Sequence, residues 1–172
     1  MSKLLTESIV QAYFDQKDIL VKHQLESYND YVDNILPNII KQHSPIELNF
    51  KDKKVKSILV YFMVDTIHIE DSKYSENNGV KEILYPDIAN LRNYSYTSNI
   101  LIDIEIEMSI NDSSGSVIKL PNKVLNSIII GNIPIMVNSK YCMSKKYDNP
   151  LKCKYDIGGY FIINGNEKVI IS

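Results

Sequence analysis

Apolar positions recur at helical spacing over the first forty residues and at strand spacing beyond Pro45. Ile9, Val10, Tyr13 and Phe14 form an i, i+1, i+4, i+5 face, which predicts a first helix with Thr6 or Ser8 as candidate caps. Val21, Leu25, Tyr28, Val32, Ile35 and Ile39 then follow in steps of four and three, a stripe along one side of a second helix. The stripe is too short for an intermolecular coiled coil and is assigned to packing on the protein's own sheet. Asp18 suits its N-cap, and Pro37, lacking an amide proton, is expected to kink or end it near Leu36.

Residues 57–64 run almost continuously apolar, and Ile67 and Ile69 extend them by alternation. Residues 72–79 read as a polar loop, and Pro86-Asp87 opens a short helical turn through Leu91. The clearest strand is 100–110. Ile100, Ile102, Ile104, Ile106, Met108 and Ile110 point one way, and Asp103, Glu105, Glu107 and Ser109 the other. A turn over 111–115 returns the chain into a partner strand at 117–120. Further strand is predicted at 127–130 and 133–137, with Pro134 requiring an edge or a bulge. Residues 139–156, rich in lysine and tyrosine, read as loop. The chain closes on two apolar runs around Asn164-Gly165, the dipeptide best suited to positive φ at both centres of a type I′ turn. The pattern predicts an α+β fold: two N-terminal helices packed on a mostly antiparallel sheet, ending in a β-hairpin. With no repeat or compositional break, residues 1–172 read as a single domain.

Composition narrows the function classes. The hydrophobic fraction of 44% and charged fraction of 23% are those of a globular protein with a real core. No run reaches the ~18 apolar residues of a membrane span, and the N-terminus turns charged after a short amphipathic stretch instead of forming a secretory signal, so no membrane partner is expected. A net charge of −2 is not that of a free-standing nucleic-acid binder, so any DNA or RNA contact must be local or shared with other polypeptides. Ile, Asn, Lys and Tyr are heavily used, Trp is absent and Arg92 is the sole arginine, a bias that AT-rich genomes write.

No enzyme signature emerges. There is no glycine-rich phosphate loop, GxSxG elbow or Asp-x-Asp-x-Asp cluster, and Asp103, Glu105 and Glu107 read as the solvated face of a strand. Cys142 and Cys153 form no CxxC pair, and His23, His43 and His68 are scattered, so no zinc site is expected. Lysines gather at Lys51, Lys53, Lys54 and Lys56, and again from Lys140 to Lys154 with Tyr141, Tyr147 and Tyr155 interleaved. Such a basic and aromatic group suits either a solvated loop or nucleic-acid contact.

Four segments carry a resemblance. They are Gln24-Leu25-Glu26-Ser27-Tyr28 within 20–32, Pro86-Asp87-Ile88-Ala89-Asn90-Leu91-Arg92-Asn93 within 85–98, and Gly131-Asn132-Ile133-Pro134-Ile135-Met136 within 130–142. The fourth is Cys153-Lys154-Tyr155-Asp156-Ile157-Gly158-Gly159-Tyr160, leading into the closing hairpin Phe161-Ile162-Ile163-Asn164-Gly165-Asn166-Glu167-Lys168-Val169. In this order they resemble the second-largest, β-type subunit of multisubunit DNA-directed RNA polymerases of eukaryotes, archaea and large DNA viruses. The resemblance implies the first part of that subunit's protrusion domain, which flanks the cleft near upstream DNA and the RNA–DNA hybrid and meets initiation factors. It implies template-directed RNA synthesis, a nucleotidyltransferase reaction, as the activity of the assembly. The implied partners are the largest subunit, the rest of the second-largest subunit, DNA template, hybrid and initiation factors. Catalysis is not placed here: no catalytic residue, metal ligand or cofactor is assigned to this chain, and Mg2+ belongs to the assembled active centre. Arg92, Lys140 and Lys168 are the candidate nucleic-acid-binding residues. The implied location is intracellular: a viral factory, host cytoplasm or virion if the source is a giant DNA virus, the nucleus otherwise. The residue bias and the scarcity of arginine lean toward the virus.

Departures from the family pattern sharpen these expectations. Asn90, Asn132 and Asn138 stand where the family typically has arginine, so hydrogen bonding is kept and charge lost. Arg92 is expected to be a buried clamp that holds the turn at 91–93 onto a carboxylate or carbonyl, with direct nucleic-acid contact as the competing role. The chain's stop at Ser172 predicts an unfinished protrusion domain with an exposed apolar edge near Phe161, Ile163 and Val169. The alternative function is a stand-alone binding module, derived from that subunit, that engages a transcription factor without catalysis.

Overall fold

A computed structural model describes residues 2–15, 18–49, 55–75, 79–111, 116–147, 153 and 155–171. Its contacts cluster into two compact units built from interleaved segments. The first holds Met1–Asp30, Tyr74–Tyr96 and Pro134–Ser172, and the second Tyr31–Lys73 and Thr97–Ile133. Composition gives no sign of this division, because each unit draws on stretches that are distant in sequence.

Helix α1 spans Ser2–Phe14, so Thr6 and Ser8 lie inside it rather than capping it. Its expected packing face is open, with Ile9 and Phe14 about 60% exposed and Val10 and Tyr13 about half exposed. Asp18 also departs from its expected role. It sits at φ 57° and accepts the Val21 N–H through its backbone carbonyl (3.0 Å), forming a turn before α2 (Lys22–Asp30).

The helical path continues through a π-helical turn at Tyr31–Ile35 into α3 (Leu36–Gln42), with Pro37 in the first turn of α3. Val21, Leu25, Tyr28 and Val32 are buried as the stripe predicts, but the next buried residue is Leu36, while Ile35 and Ile39 are 44% and 40% exposed. The i→i+5 turn is wider than an α turn and delays the stripe by one residue. Its position before Pro37, which cannot donate to the preceding turn, accounts for where it falls.

The second unit is dominated by two long antiparallel strands, β2 (Val55–Ile69) and β5 (Thr97–Asn111). Short β1 (Ile46–Asn49) pairs with β2, while β6 (Val117–Lys119) and β7 (Lys123–Pro134) pair with β5. The predicted hairpin return is observed as Ile110 opposite Ile118, although most of its turn (112–115) lies outside the described residues. Between Met63 and His68 the β2–β5 register shifts. Thr66 occupies the irregularity, its hydroxyl donating to Met63 O (2.8 Å) and accepting from Asp103 N (2.9 Å), so backbone groups missed by the ladder keep partners. Beyond the bulge Asn99 grips Glu70: the Glu70 N–H donates to Asn99 O (2.9 Å) and the Asn99 amide to the Glu70 carboxylate (2.9 Å). The further strand predicted over 127–130 and 133–137 is β7, which starts earlier, at Lys123, accommodates Ser127 at φ 54° and ends at Pro134.

The segment read as a loop at 72–79 contributes β3 (Lys73–Ser75), which pairs with β4 (Lys81–Ile83). The helical turn opened by Pro86 is α4 (Pro86–Leu91), with the proline in its first turn where a missing N–H costs nothing. A short α5 (Met143–Lys146) interrupts the expected loop at 139–156. The terminal hairpin is β8 (Phe161–Ile163) and β9 (Asn166–Lys168), joined by Asn164 at φ 50° and Gly165 at φ 71°, as the Asn-Gly pair predicts.

Candidate functional site

The segments singled out by sequence in the first unit converge on its core. Tyr96 is fully buried and forms its hinge. Its N–H donates to Ile162 O (2.8 Å) and its carbonyl accepts from Ile135 N (3.0 Å). Its hydroxyl accepts from Met143 N (2.8 Å) and lies 3.6 Å from the Cys142 sulfur. That anchor explains why residues 139–147, polar in sequence, bury Ser139, Cys142 and Met143. Val137 N donates to Tyr160 O (2.8 Å) and Gly159 N to Val137 O (2.9 Å), so the third and fourth motif segments are laced together by backbone. Phe161 meets the Tyr28 ring edge-on at 5.6 Å, and the Tyr28 hydroxyl donates to Pro134 O (2.8 Å), bringing the first segment to the same core.

Two glycines are required by this closeness. Gly159 has φ +81°, and a Cβ there would lie 2.9 Å from both Gln24 Oε1 and Val21 Cβ; the backbone of the fourth segment thus lies directly on α2. Gly165 has φ +71°, and its Cβ would lie 2.5 Å from Asn93 Oδ1. The turn beneath it is held by Ser95, whose hydroxyl accepts from Asn164 N and donates to Asn164 Oδ1 (both 3.0 Å), and by Gly165 N donating to Tyr94 O (3.0 Å). Asn93, at φ 56°, ends α4 in a Schellman closure: Tyr94 N donates to Ala89 O (2.8 Å) and Asn93 N to Asn90 O (3.4 Å).

A cavity of about 300 Å³ opens beside this junction, lined by carboxylates of Asp87, Asp156 and Glu167 together with Asn90, Cys153 and Tyr160. The Tyr160 hydroxyl donates to Asp156 Oδ2 (3.0 Å). Burial, then the negative charges of Asp156, Glu167 and Asp87, push its phenol well above the ordinary tyrosine range. The cavity is therefore electronegative and disfavours phosphate. Asn90 reaches Glu167 only through a 3.4 Å amide contact, a neutral partner at a position where the sequence reading expects an arginine. Among the described residues no three His, Cys, Asp or Glu side chains are grouped so as to hold a metal ion. Both cysteines are free thiols, Cys142 buried and Cys153 exposed.

The three predicted nucleic-acid residues stand exposed in three local settings. Arg92 follows α4 and places its guanidinium over the Tyr74 ring at 5.2 Å, a cation–π contact that the expectation of a carboxylate or carbonyl clamp did not include. Lys140 lies 5.5 Å over the Tyr141 ring, and its backbone N–H donates to Asn29 Oδ1 (3.1 Å). Lys168 is on β9 opposite Phe161. Of the lysine groups, 51, 53, 54, 152 and 154 and the side chain of Lys56 lie outside the described residues, while Lys145 and Lys146 belong to α5.

The asparagines differ in role. Asn132 is exposed on β7. Asn138 is buried at φ 64°, where asparagine is among the best tolerated side chains, and donates to Asp156 O (3.1 Å). Its Oδ1 and the Ser139 hydroxyl are buried without a protein partner, places suited to ordered water. The apolar edge expected near Phe161, Ile163 and Val169 is only partly open. Phe161 is buried and Ile163 half-buried, whereas Val169, Ile170 and Ile171 are 57%, 68% and 94% exposed.

Comparison with known proteins follows the same segments. A family model described as RNA polymerase beta subunit matches residues 19–172. DNA-directed RNA polymerase II subunit 2 of Arabidopsis thaliana is 29% identical over 96% of this chain, which spans 15% of that protein. The Rpo2N subunit of DNA-directed RNA polymerase from Methanothermobacter thermautotrophicus (strain Delta H) is 32% identical over 95% of the chain and 29% of its own length. DNA-directed RNA polymerase subunit 2 of Acanthamoeba polyphaga mimivirus is 30% identical over 96% of the chain and 14% of its own length.

Proposed function

We propose that this chain, which belongs to the RNA polymerase beta subunit family, forms the opening part of the second-largest subunit of a DNA-directed RNA polymerase. There it is a structural wall beside the DNA and hybrid cleft, in the region named the protrusion above. The observation that carries this reading is the use made of the motif residues. Gly159, Asn164-Gly165, Tyr96 and residues 135–137 are spent on backbone lacing and close approach, the work of a scaffold. Nucleotidyl transfer, with its Mg2+, is assigned to the complete assembly, together with the largest subunit, template, hybrid and initiation factors as partners. Nucleic-acid contact on this chain is assigned to the exposed cations Arg92, Lys140 and Lys168, and not to the electronegative cavity.

Affinity purification of the tagged chain from its source tests the reading. Recovery of the largest subunit with template-directed RNA synthesis is expected. A lone transcription factor, with no polymerase subunit, would establish instead the stand-alone binding module. Within the assembly, Arg92→Lys distinguishes roles. Lysine keeps the charge but not the planar stack on Tyr74, so lowered stability with an unchanged salt dependence of template binding marks a structural cation, and a shallower salt slope marks a phosphate contact.

A further inference from the structure

The terminal hairpin turns on a dipeptide with a reaction of its own. In Asn164-Gly165 a side-chain amide carbon precedes a backbone nitrogen whose own residue has no Cβ to obstruct its approach. The Gly165 nitrogen loses its proton to solvent base and bonds to Asn164 Cγ. The bond from Cγ to Nδ2 then breaks, and ammonia leaves. Water opens the resulting five-membered imide at either carbonyl, giving aspartate or isoaspartate at 164 without any oxidant or reductant. Asn164 is exposed, so water and base have access to it, and only geometry can hold the reaction back. Attack requires the two atoms at about 3–3.5 Å in a near-attack arrangement.

The docked hairpin opposes that arrangement at both reacting atoms. The Ser95 hydroxyl donates to Asn164 Oδ1 and accepts from Asn164 N (both 3.0 Å), so it ties the side chain back to its own amide and away from Gly165. The Gly165 N–H donates to Tyr94 O (3.0 Å) and must give up that bond before it can be deprotonated. Asn164 O accepts from Asn166 Nδ2 (3.1 Å), and Gly165 rests so close to Asn93 that a Cβ would lie 2.5 Å from Oδ1, which leaves the peptide between 164 and 165 little room to rotate. We propose that Asn164-Gly165 is a modification site, open to deamidation while the hairpin is undocked and closed by Ser95 and the Tyr94 carbonyl once it docks. Isoaspartate routes the backbone through Cβ and adds a carbon between residues 164 and 165. The pairing of Phe161 with Lys168 and of Ile163 with Asn166 cannot then re-form in the same register, so a chain modified while open is barred from the native turn.

The test follows residue 164 in the tagged full chain, recovered natively from its source with the subunits that accompany it. Samples are held at mildly alkaline pH, either native or in guanidinium chloride. Cleavage after Lys154 and Lys168 releases peptide 155–168, and mass spectrometry with fragmentation separates conversion at Asn164 from conversion at Asn166. Native conversion at Asn164 is expected to be about tenfold slower or more than in denaturant, because the native site reacts only through local opening. Ser95→Ala is expected to raise the native rate about fivefold or more, and Ser95→Thr, which keeps the hydroxyl, to hold it within about twofold of the parent. Asn138-Ser139, buried in the same unit, reports general unfolding should Ser95→Ala loosen the fold. A rise confined to Asn164 supports the lock, and a parallel rise at both sites overturns it. Equal rates at Asn164 in native and denatured chain, or a Ser95→Ala rate equal to the parent's, also overturn it. Each of these outcomes leaves the polymerase reading untouched.

Discussion

The first unit holds a sealed core, although α1 and its last residues leave apolar side chains exposed, and the central strands of the second are half open. Tyr96, Ile135, Cys142, Met143 and Ile162 are each at most 1% exposed, whereas the central residues of β2 and β5, equally apolar, remain partly exposed. The difference lies in architecture rather than composition. In the first unit, irregular segments approach from several directions, and glycines at positive φ let backbone lie against side chains. In the second, long regular strands make their hydrogen bonds within one layer, and only short helical segments accompany them, with α3 against β2.

Alanine substitution should expose this contrast most strongly. Ile162→Ala, in the sealed core, is expected to cost about 2–5 kcal/mol, while Ile106→Ala, at a partly exposed position of β5, should cost about 1 kcal/mol in the isolated chain. Denaturant titration of the two variants measures the gap, and equal losses would erase the distinction between the units. Glycines give the next largest effect. Gly159→Ala forces a Cβ against Val21 and Gln24 at an unfavourable φ and is expected to cost about 2 kcal/mol or more. Gly131→Ala, in β7 with nothing within 4 Å of the new methyl, should stay within about 0.5 kcal/mol of the parent.

The smallest effect concerns pH. Because the Tyr160 phenol is raised in the folded chain, the unfolded chain loses that proton first. Its contribution to stability is whole below the ordinary tyrosine pKa of about 10 and declines as pH rises above it. Tyr160→Phe should therefore cost about 1 kcal/mol at neutral pH, through the lost hydrogen bond to Asp156, and should soften the alkaline decline. Thermal melts at successive pH values check both signs, and an unchanged alkaline slope would remove Tyr160 as its source.

Local chemistry was readable from the sequence wherever it decided the structure. Asn164-Gly165 announced its turn, Pro86 its helix, and the alternation of 100–110 the long strand β5. The shift from Ile35 to Leu36 was hidden because a π-helical turn leaves no residue signature of its own beyond the nearby proline. The open face of α1 was hidden too, since an amphipathic pattern specifies a face and not what lies against it. Residues 139–147 were misread because their order comes from a tyrosine hydroxyl more than forty positions earlier in the chain. Of the candidate site, the motif glycines were visible as residues. Their reason, a backbone seated on α2 and on Asn93, exists only in three dimensions. The electronegative cavity drew on Asp87, Asp156 and Glu167, too scattered along the chain for any motif to register.

The interleaving of the two units has a consequence for synthesis. Val21 and Gln24 leave the ribosome well ahead of the glycine that settles against them, Gly159. At about 5–20 residues per second, α2 waits on the order of ten seconds for that neighbour. Over that interval its apolar stripe is without its final cover, while the β2–β5 pair, nearer in sequence, can form first. The first unit to begin is thus the last to finish, and slowed elongation between these points would lengthen the time in which its early helix is open to chaperones or to wrong partners.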